Sequence, residues 1–506
     1  MTYAEYLDKV KACWLGKNIG GTLGAPFESY RCALDLEYYT HDLKKGVLPN
    51  DDLDLQLIWL NAAEKYGTAV DGEILSTYWV NNITAYWSEY GAGMNNLDYG
   101  ILPPASGRYL NPFGESCGCF IRSEIWACLA PGHPQIAVKY AFEDASVDHC
   151  EEGIYAELFC AALQSAAFVE KDPNTLIDIG LSYIPADCAV ATTVELVRKA
   201  YAEGVTWKEA RRRVLTAVPD TFGLRYSPQE AGIPDGKLGY DAPANIGLMI
   251  VGWLFGENDF SKCICIAAGA GEDADCTAGT LAATFGIING TKSIDPKWTD
   301  PIGDEIKTVA ISRADPSVNI PDKVSQLTQR VVSTMRVFLN DYITVSEDGQ
   351  LTFAQPGEMK KTLDSTGWME KSDPFWYMYQ KDLMAKKKNS LMEVYVMMDD
   401  LQLRENSRKE LRLRFRNRAA RNLWLNICVQ MADGAGEVKV LSNTACWLNE
   451  WTMGTDFTDK TIRMAIGELK QDRCPVDILI TANGFPTKLH IPLVLVKDDT
   501  AEQKDN

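Results

Sequence analysis

The apolar residues of this chain change their period along its length. Up to about Thr308 they recur at helical spacing, in Tyr3–Leu15, Leu53–Tyr66, Ile136–Phe142, Ile154–Val169, Ala189–Glu203, Trp207–Val218, Ile246–Leu254 and Cys276–Ile288. Several of these stretches are rich in Ala and Gly, which lets helices approach closely, and period-2 alternation is scarce. From Leu391 short stretches alternate or run apolar: Met392–Met398, Glu410–Phe415, Trp424–Gln430, Glu437–Leu441, Thr461–Ile466, Val476–Thr481 and Leu489–Leu495. Turn-rich pieces such as Asp433-Gly434-Ala435-Gly436 separate them, a pattern that predicts a β-sandwich. At 506 residues the chain exceeds one ordinary core. The expected organisation is multidomain: an all-α domain over 1–308, a helical and hairpin connector over 309–388, and a β-sandwich over 389–498 of unassigned role. In the connector, Asp322–Leu339 reads as an amphipathic helix, and Tyr342–Phe353, with Glu347-Asp348-Gly349 in its middle, as a hairpin. Asp364–Lys388 carries several aromatics, and its closing Lys386-Lys387-Lys388 reads as a solvated boundary rather than a binding patch.

Charge and cysteine usage narrow the function. A net charge of −19 argues against a nucleic-acid or anionic-membrane surface, which needs a basic face. The longest apolar runs, near Ile246–Phe255 and Ala278–Ile288, are too short to span a bilayer. Met1-Thr2-Tyr3-Ala4-Glu5 has neither a basic start nor an apolar core, so no signal peptide is expected. With 14 cysteines, no paired CxxC motifs and only four histidines, free thiols in a reducing, cytoplasmic setting fit better than disulfides or a structural zinc.

Three segments carry chemistry. Gly16–Glu28, GKNIGGTLGAPFE, reads as a helix ending in a glycine-rich loop that presents Glu28 after Pro26. Pro49–Gln56, PNDDLDLQ, opens a helix with Asn50 at the cap and three acids, Asp51, Asp52 and Asp54, within four residues. One cap needs a single oxygen, and the mutual repulsion of these acids calls for a counter-charge. Gly269–Gly279, GAGEDADCTAG, places Asp273 and Asp275 ahead of an apolar, small-residue helix. Each start alone can be read as capping with a favourable macrodipole contribution. Two of them, far apart in sequence and each leading into a core helix, point to oxygen ligands for Mg²⁺, Mn²⁺ or Ca²⁺.

The order GxxxGxxLGAPxE, a DD helix start, and GxDxDxxAGxxAAxxGxxxG resembles the ADP-ribosylglycohydrolase family over roughly Ala4–Lys292. The resemblance implies an all-α fold with a binuclear Mg²⁺ or Mn²⁺ centre. Its ligands carry over to Asp51, Asp52, Asp273 and Asp275, with Asn50 where the family has Ser or Thr and Cys276 where it has Thr. Glu28 matches a residue close to the metals; Glu28, Asp52 and Asp275 are the expected catalytic groups. Phe113–Arg122, FGESCGCFIR, resembles the loop that wraps the ligand's phosphates and distal ribose, and Asp148-His149 matches a pair lining the ligand pocket. Asp54, Phe113, Gly118, Cys119 and His149 are thus the expected substrate contacts. Leu53 replaces a family Thr, Asp54 is an added acid, and Glu115, Glu151 and Glu152 flank the expected pocket.

The activity implied is metal-dependent hydrolysis of an N- or O-glycosidic bond in an ADP-ribosyl or related glycosyl substrate, a small molecule or an ADP-ribosylated protein. A glycosidase or nucleosidase acting on an unphosphorylated sugar and a non-catalytic nucleotide binder are the alternatives. The acids flanking the pocket favour a substrate of lower negative charge than ADP-ribose. Trp424, Trp447 and Trp451 are candidates for docking on the sandwich, although strand aromatics are more often core.

Overall fold

A computed structural model describes residues 1–218, 240–345, 351–353, 359–361, 375–450 and 457–498. The chain divides into two compact units, Met1–Met94 with Leu110–Trp368, and Asn95–Tyr109 with Met369–Asn506.

The first unit is helical. Its centre is the pair Tyr3–Gly24 and Ala274–Asn289, the former opened by a Thr2–Glu5 capping box. The glycine-rich stretch of the first motif does not leave the helix as expected; it stays helical to Gly24 and ends in a single 3₁₀ turn, Ala25–Phe27. The cause is packing: a Cβ on Gly20 would lie 2.2 Å from the Ala278 carbonyl oxygen, so only glycine admits the Ala274 helix at this distance. Around this pair lie the helices Asp51–Tyr66, Pro134–Ala145, Glu152–Ala166, Ala189–Ala202, Trp207–Ala217, Ala242–Phe255, Phe260–Gly269 and Val324–Phe338. Each stretch with helical periodicity lies in a helix; the first runs on from Leu15 to Gly24, and the ends of the others move by at most about four residues. Trp14, Trp59, Trp79, Trp126 and Trp253 are buried in its core. The hairpin forms as β1 (Ile343–Val345) against β2 (Leu351–Phe353), whereas Glu347-Asp348-Gly349 lies outside the described residues.

The second unit is a sandwich of two five-stranded sheets. Its strands are β3 (Leu383–Lys388), β4 (Met392–Met397), β5 (Gln402–Leu403), β6 (Arg408–Asn417), β7 (Leu423–Met431), β8 (Gly436–Val440), β9 (Ala445–Leu448), β10 (Phe457–Leu469), β11 (Arg473–Ala482) and β12 (Lys488–Lys497). One sheet has the order β3-β4-β6-β10-β8 and the other β5-β12-β11-β7-β9. Val394, Leu413 and Ile462 from the first pack with Ile427, Ile478 and Ile491 from the second, the inward half of each alternating pattern. All seven expected strands are present. The structure adds β3, β5 and β9, all edge strands: β3 and β5 lack an alternating pair of buried positions, and β9 is only four residues long, with Cys446 and Leu448 inward and Trp447 outward. The Lys386-Lys387-Lys388 run, read as a boundary, belongs to edge strand β3, paired with β4 from Leu383↔Met397 to Lys388↔Glu393. Lysines on an edge discourage pairing with another chain.

Among the described residues no helix is long and apolar enough to cross a membrane. All 14 cysteines are free thiols.

Candidate active site

Two helix starts and two loops converge on one cleft in the helical unit. The Asp51–Tyr66 helix is capped as expected: Asn50 Oδ1 accepts the Asp52 N–H at 2.7 Å, while Asn50 Nδ2 donates to Asp275 Oδ2 at 3.2 Å. Asn50 thereby ties the second motif to the third. The Ala274–Asn289 helix is different. Asp273 stands at its cap position but makes no side-chain cap bond, so the capping reading fails for this motif. The first-motif loop is pinned beside it. Ser29 N–H donates to the Glu272 carbonyl at 2.9 Å and Glu272 N–H to that of Tyr30 at 2.7 Å, which brings Glu28 to the rim above Asp273.

The cleft has a volume of about 180 Å³ and is lined by Glu28, Asp51, Glu89, Asp273 and Asp275, with Trp87, Tyr90, Cys117, Gly118, Tyr240 and Cys276. Asp273 and Asp275 are each only 5% exposed, and the Oδ1 atoms of both are buried without a hydrogen-bond partner. Unpaired buried carboxylate oxygens are costly unless a cation or proton meets them. Burial and mutual repulsion raise Asp51, Asp52 and Asp275 above the usual carboxylate range. Tyr90 donates to Asp51 Oδ2 at 3.0 Å. Asp52 lies beneath the cleft floor, where Lys17 Nζ approaches its Oδ2 at 3.4 Å and Glu124 Oε1 at 3.1 Å. Cys276 Sγ donates to Asp52 Oδ1 at 3.4 Å and Cys117 Sγ to Asp273 Oδ2 at 2.8 Å. This crowded set of oxygens, from Asp51, Asp52, Asp273 and Asp275 with Asn50 at its edge, could hold a divalent cation, and Cys276 stands beside it.

At the rim, the desolvation of the Glu28 carboxyl and the nearby Asp273 push it up to about 7. The Tyr240 hydroxyl donates to its Oε1 at 3.1 Å and also contacts Ser29. On the opposite wall burial pushes Glu89 up to about 8, with Ser116 as a hydrogen-bond partner. A Cβ on Gly118 would lie 2.0 Å from Glu89 Oε1, so glycine is what lets this carboxyl reach the cleft. Trp87, half exposed, stacks on Tyr90 at 6.2 Å and offers an aromatic face at the mouth.

The expected substrate contacts divide. Gly118 lines the cleft, whereas Asp54, Phe113, Cys119 and His149 do not. Asp54 is fully buried, and its Oδ2 accepts the N–H groups of Val309 (2.7 Å) and Ala310 (2.6 Å), so the added acid anchors a loop. Cys119 Sγ donates to the Gly153 carbonyl at 2.7 Å. His149 is enclosed between Asp148 Oδ1 (2.8 Å) and Ser116 Oγ (2.9 Å). Glu152 accepts the N–H groups of Ala189 and Val190 and serves another helix start. The residues missed by sequence reasoning are Lys17, Trp87, Glu89, Tyr90, Cys117 and Tyr240. Lys17 alone left a signal, the one charged residue between Ala12 and Phe27.

The family model of the ADP-ribosylglycohydrolases matches residues 2–331. Among solved structures, an ADP-ribosylglycohydrolase-related protein complex aligns at 16% identity and a TM-score of 0.44, covering 66% of this chain and 99% of that one. A FixG-related protein from Vibrio parahaemolyticus (10% identity, TM-score 0.19) covers 22% of this chain and 99% of its own. The GAE domain of GGA2p from Saccharomyces cerevisiae (9% identity, TM-score 0.15) covers 22% and 96%. A comparison with curated proteins found no match. The chain, with its three motifs gathered on one acidic cleft, belongs to the ADP-ribosylglycohydrolase family.

Proposed function

We propose that the chain is a metal-dependent hydrolase that cleaves the N- or O-glycosidic bond of an ADP-ribosyl or related ribosyl or glycosyl substrate. The observation that carries this reading is the cleft itself: Asp51, Asp273 and Asp275 converge there, with an oxygen of Asp273 and one of Asp275 left unpaired, below a Glu28 held by Tyr240. Bound Mg²⁺ or Mn²⁺ would supply a template for vicinal hydroxyls and Lewis acidity. As the glycosidic bond breaks a proton from solvent goes to the departing oxygen or nitrogen, and Glu28, oriented by Tyr240 and ionised once a cation lies beside Asp273, is placed to act as the base. The cleft carboxylates stabilise the positive charge that develops at the anomeric carbon. Water then adds to that carbon, and one of the carboxylates takes its proton. Free thiols and the lack of a membrane-spanning helix among the described residues favour a cytoplasmic setting.

Within this reading the cleft favours an unphosphorylated sugar over ADP-ribose. Five acids line it, with no Lys or Arg among its described lining residues, so a diphosphate finds no partner there except a bound cation. Its volume of about 180 Å³ is below the ~300–1,000 Å³ of pockets for larger ligands. The test is a screen of ADP-ribosylated peptides, nucleosides and aryl glycosides with and without Mg²⁺ or Mn²⁺. Turnover that needs the cation and ranks a neutral glycoside at or above ADP-ribose supports both statements. Turnover in excess chelator removes the mechanism, and tight ADP-ribose binding lost in Asp275→Asn restores the phosphorylated substrate.

A further inference from the structure

Two thiols stand in the cleft where hard-metal chemistry has no use for them. Cys117 Sγ, Cys276 Sγ and a carboxylate oxygen of Asp273 all lie within 4.8 Å of one another, and all three residues are buried. The two thiols are hydrogen-bond neighbours. Asp273 keeps a second oxygen, Oδ1, without a partner. Asp273 and Cys276 are fixed by one helix start, at its cap and in its first turn. Cys117 is held by a two-stranded bridge, its N–H on the Tyr240 carbonyl at 2.8 Å and the Ala242 N–H on that of Glu115 at 3.0 Å.

From this geometry we infer that Cys117, Cys276 and Asp273 form a site for a thiophilic divalent cation of the zinc class, open on the cleft side. Bonds of about 2.3 Å to sulfur and 2.0–2.2 Å to oxygen set tetrahedral donors roughly 3.5–3.8 Å apart, so small side-chain shifts close the site. All three residues line the cleft, which leaves the fourth position facing solvent or a substrate hydroxyl. Three protein ligands with one open position is the arrangement of catalytic rather than structural zinc. Thiolate donors select such ions over Mg²⁺, whose ligands are oxygens. As the two metal–sulfur bonds form, the two thiol protons leave to solvent. The cleft then holds two unlike positions, a soft one here and a hard one among Asp51, Asp52 and Asp275. The inference rests on the cleft being a metal centre, and the experiment separates the two statements.

The full-length chain, reduced and stripped with chelator, is titrated with Co²⁺ and followed by absorption. A thiolate-to-cobalt charge-transfer band that saturates at one equivalent is expected. It should fall by about half in Cys117→Ser or Cys276→Ser and vanish in the double variant. One equivalent of Zn²⁺ should bleach it, and a thousandfold excess of Mg²⁺ should not. A ¹¹³Cd resonance of the unmutated chain, which needs no variant to fold, should fall in the range for two sulfur donors. A divalent ion that binds by calorimetry without the band, a band that survives the double variant, or a cadmium shift of all-oxygen type overturns the thiolate site and leaves the hard-metal reading standing. No binding of any divalent ion by the unmutated chain overturns both.

Discussion

Two groups of buried acids lie in the helical unit, and they are balanced in opposite ways. Asp144, Asp148 and Glu157 gather around Arg122, whose Nε meets Asp144 Oδ1 at 2.6 Å and whose Nη2 meets Asp148. Burial pushes Asp148 up, but Arg122 and His149 outweigh it and hold the carboxyl below its ordinary range. Glu157, enclosed beside Asp144, is pushed well above its ordinary range by burial and by that neighbour. The chain thus neutralises this group itself. The cleft group has Lys17 alone, shared between Asp52 and Glu124, while Asp51, Asp273 and Asp275 have no cationic partner at all among the described residues. Both groups keep carboxylate oxygens without a hydrogen bond, Glu157 in the first and Asp273 and Asp275 in the second, so what separates them is the cation: the first encloses Arg122, and the second leaves that place to a ligand.

The largest effect should come from emptying the open group. Chelation, or Asp273→Asn with Asp275→Asn, should lower kcat/KM by about 10³-fold or more on whichever substrate the screen returns, since a metal contributes several kcal/mol to such a transition state. The helical unit should remain folded by circular dichroism. Breaking the closed group should act on stability instead. Arg122→Met leaves Asp144 and Asp148 without their cation and should cost about 3–5 kcal/mol in urea unfolding. Added Mg²⁺ or Mn²⁺ should not restore it. Restoration by metal would erase the distinction between the two groups.

Sequence reasoning reached the open group because its members sit at helix starts, where a surplus of acids over cap positions is visible in one dimension. Asp51, Asp52, Asp273 and Asp275 are brought together, as the motifs imply. The elements were legible for a similar reason, since periodicity of 3.6 or 2 survives in a string. The walls of the cleft were not. Glu89, Trp87 and Tyr240 come from turns and helix ends whose placement depends on packing against distant residues, such as Cys117 on Tyr240. His149 and Asp54 show the reverse error. Both have residue types suited to a ligand, and both are consumed internally, by Asp148 with Ser116 and by two backbone amides. Polar residue type does not reveal whether a side chain has already found its partner.

Metal binding should be visible as stability. Mg²⁺ or Mn²⁺ at a hundred times its Kd should stabilise the chain by about 2.7 kcal/mol, read as a rise in the thermal transition. Asp275→Asn should abolish that rise and, without metal, melt no lower than the unmutated chain, because one of the repelling charges is gone. A clear loss of metal-free stability in Asp275→Asn would mean that this carboxylate supports the helix start after all.

The smallest effect concerns one carboxyl at the rim. Glu28 keeps its proton up to about 7, against an ordinary value of 4.5, because desolvation and Asp273 disfavour its charge. At low pH the folded and unfolded chains both hold this proton and it makes no difference. As pH rises past 4.5 the unfolded chain releases a proton that the folded chain retains, so folding loses ground until about pH 7, where the folded form ionises too. Glu28 therefore adds a fall in metal-free stability between about pH 5 and 7, and Glu28→Gln should flatten that part of the curve. Asp148 has the opposite sign: held below its ordinary range, it contributes stability that is lost only in acid. A cation beside Asp273 favours ionised Glu28 and the ionised cleft acids alike, so saturating Mg²⁺ should flatten the slope of the unmutated chain and flatten it less in Glu28→Gln, where Glu28 no longer titrates. Thermal transitions from pH 5 to 8, with and without metal, decide the point. An unchanged slope in Glu28→Gln would move the titration to another raised carboxyl: Asp54, Glu124 or Glu272, pushed up to about 7 by burial, Glu89, pushed up to about 8, or the cleft acids Asp51, Asp52 and Asp275.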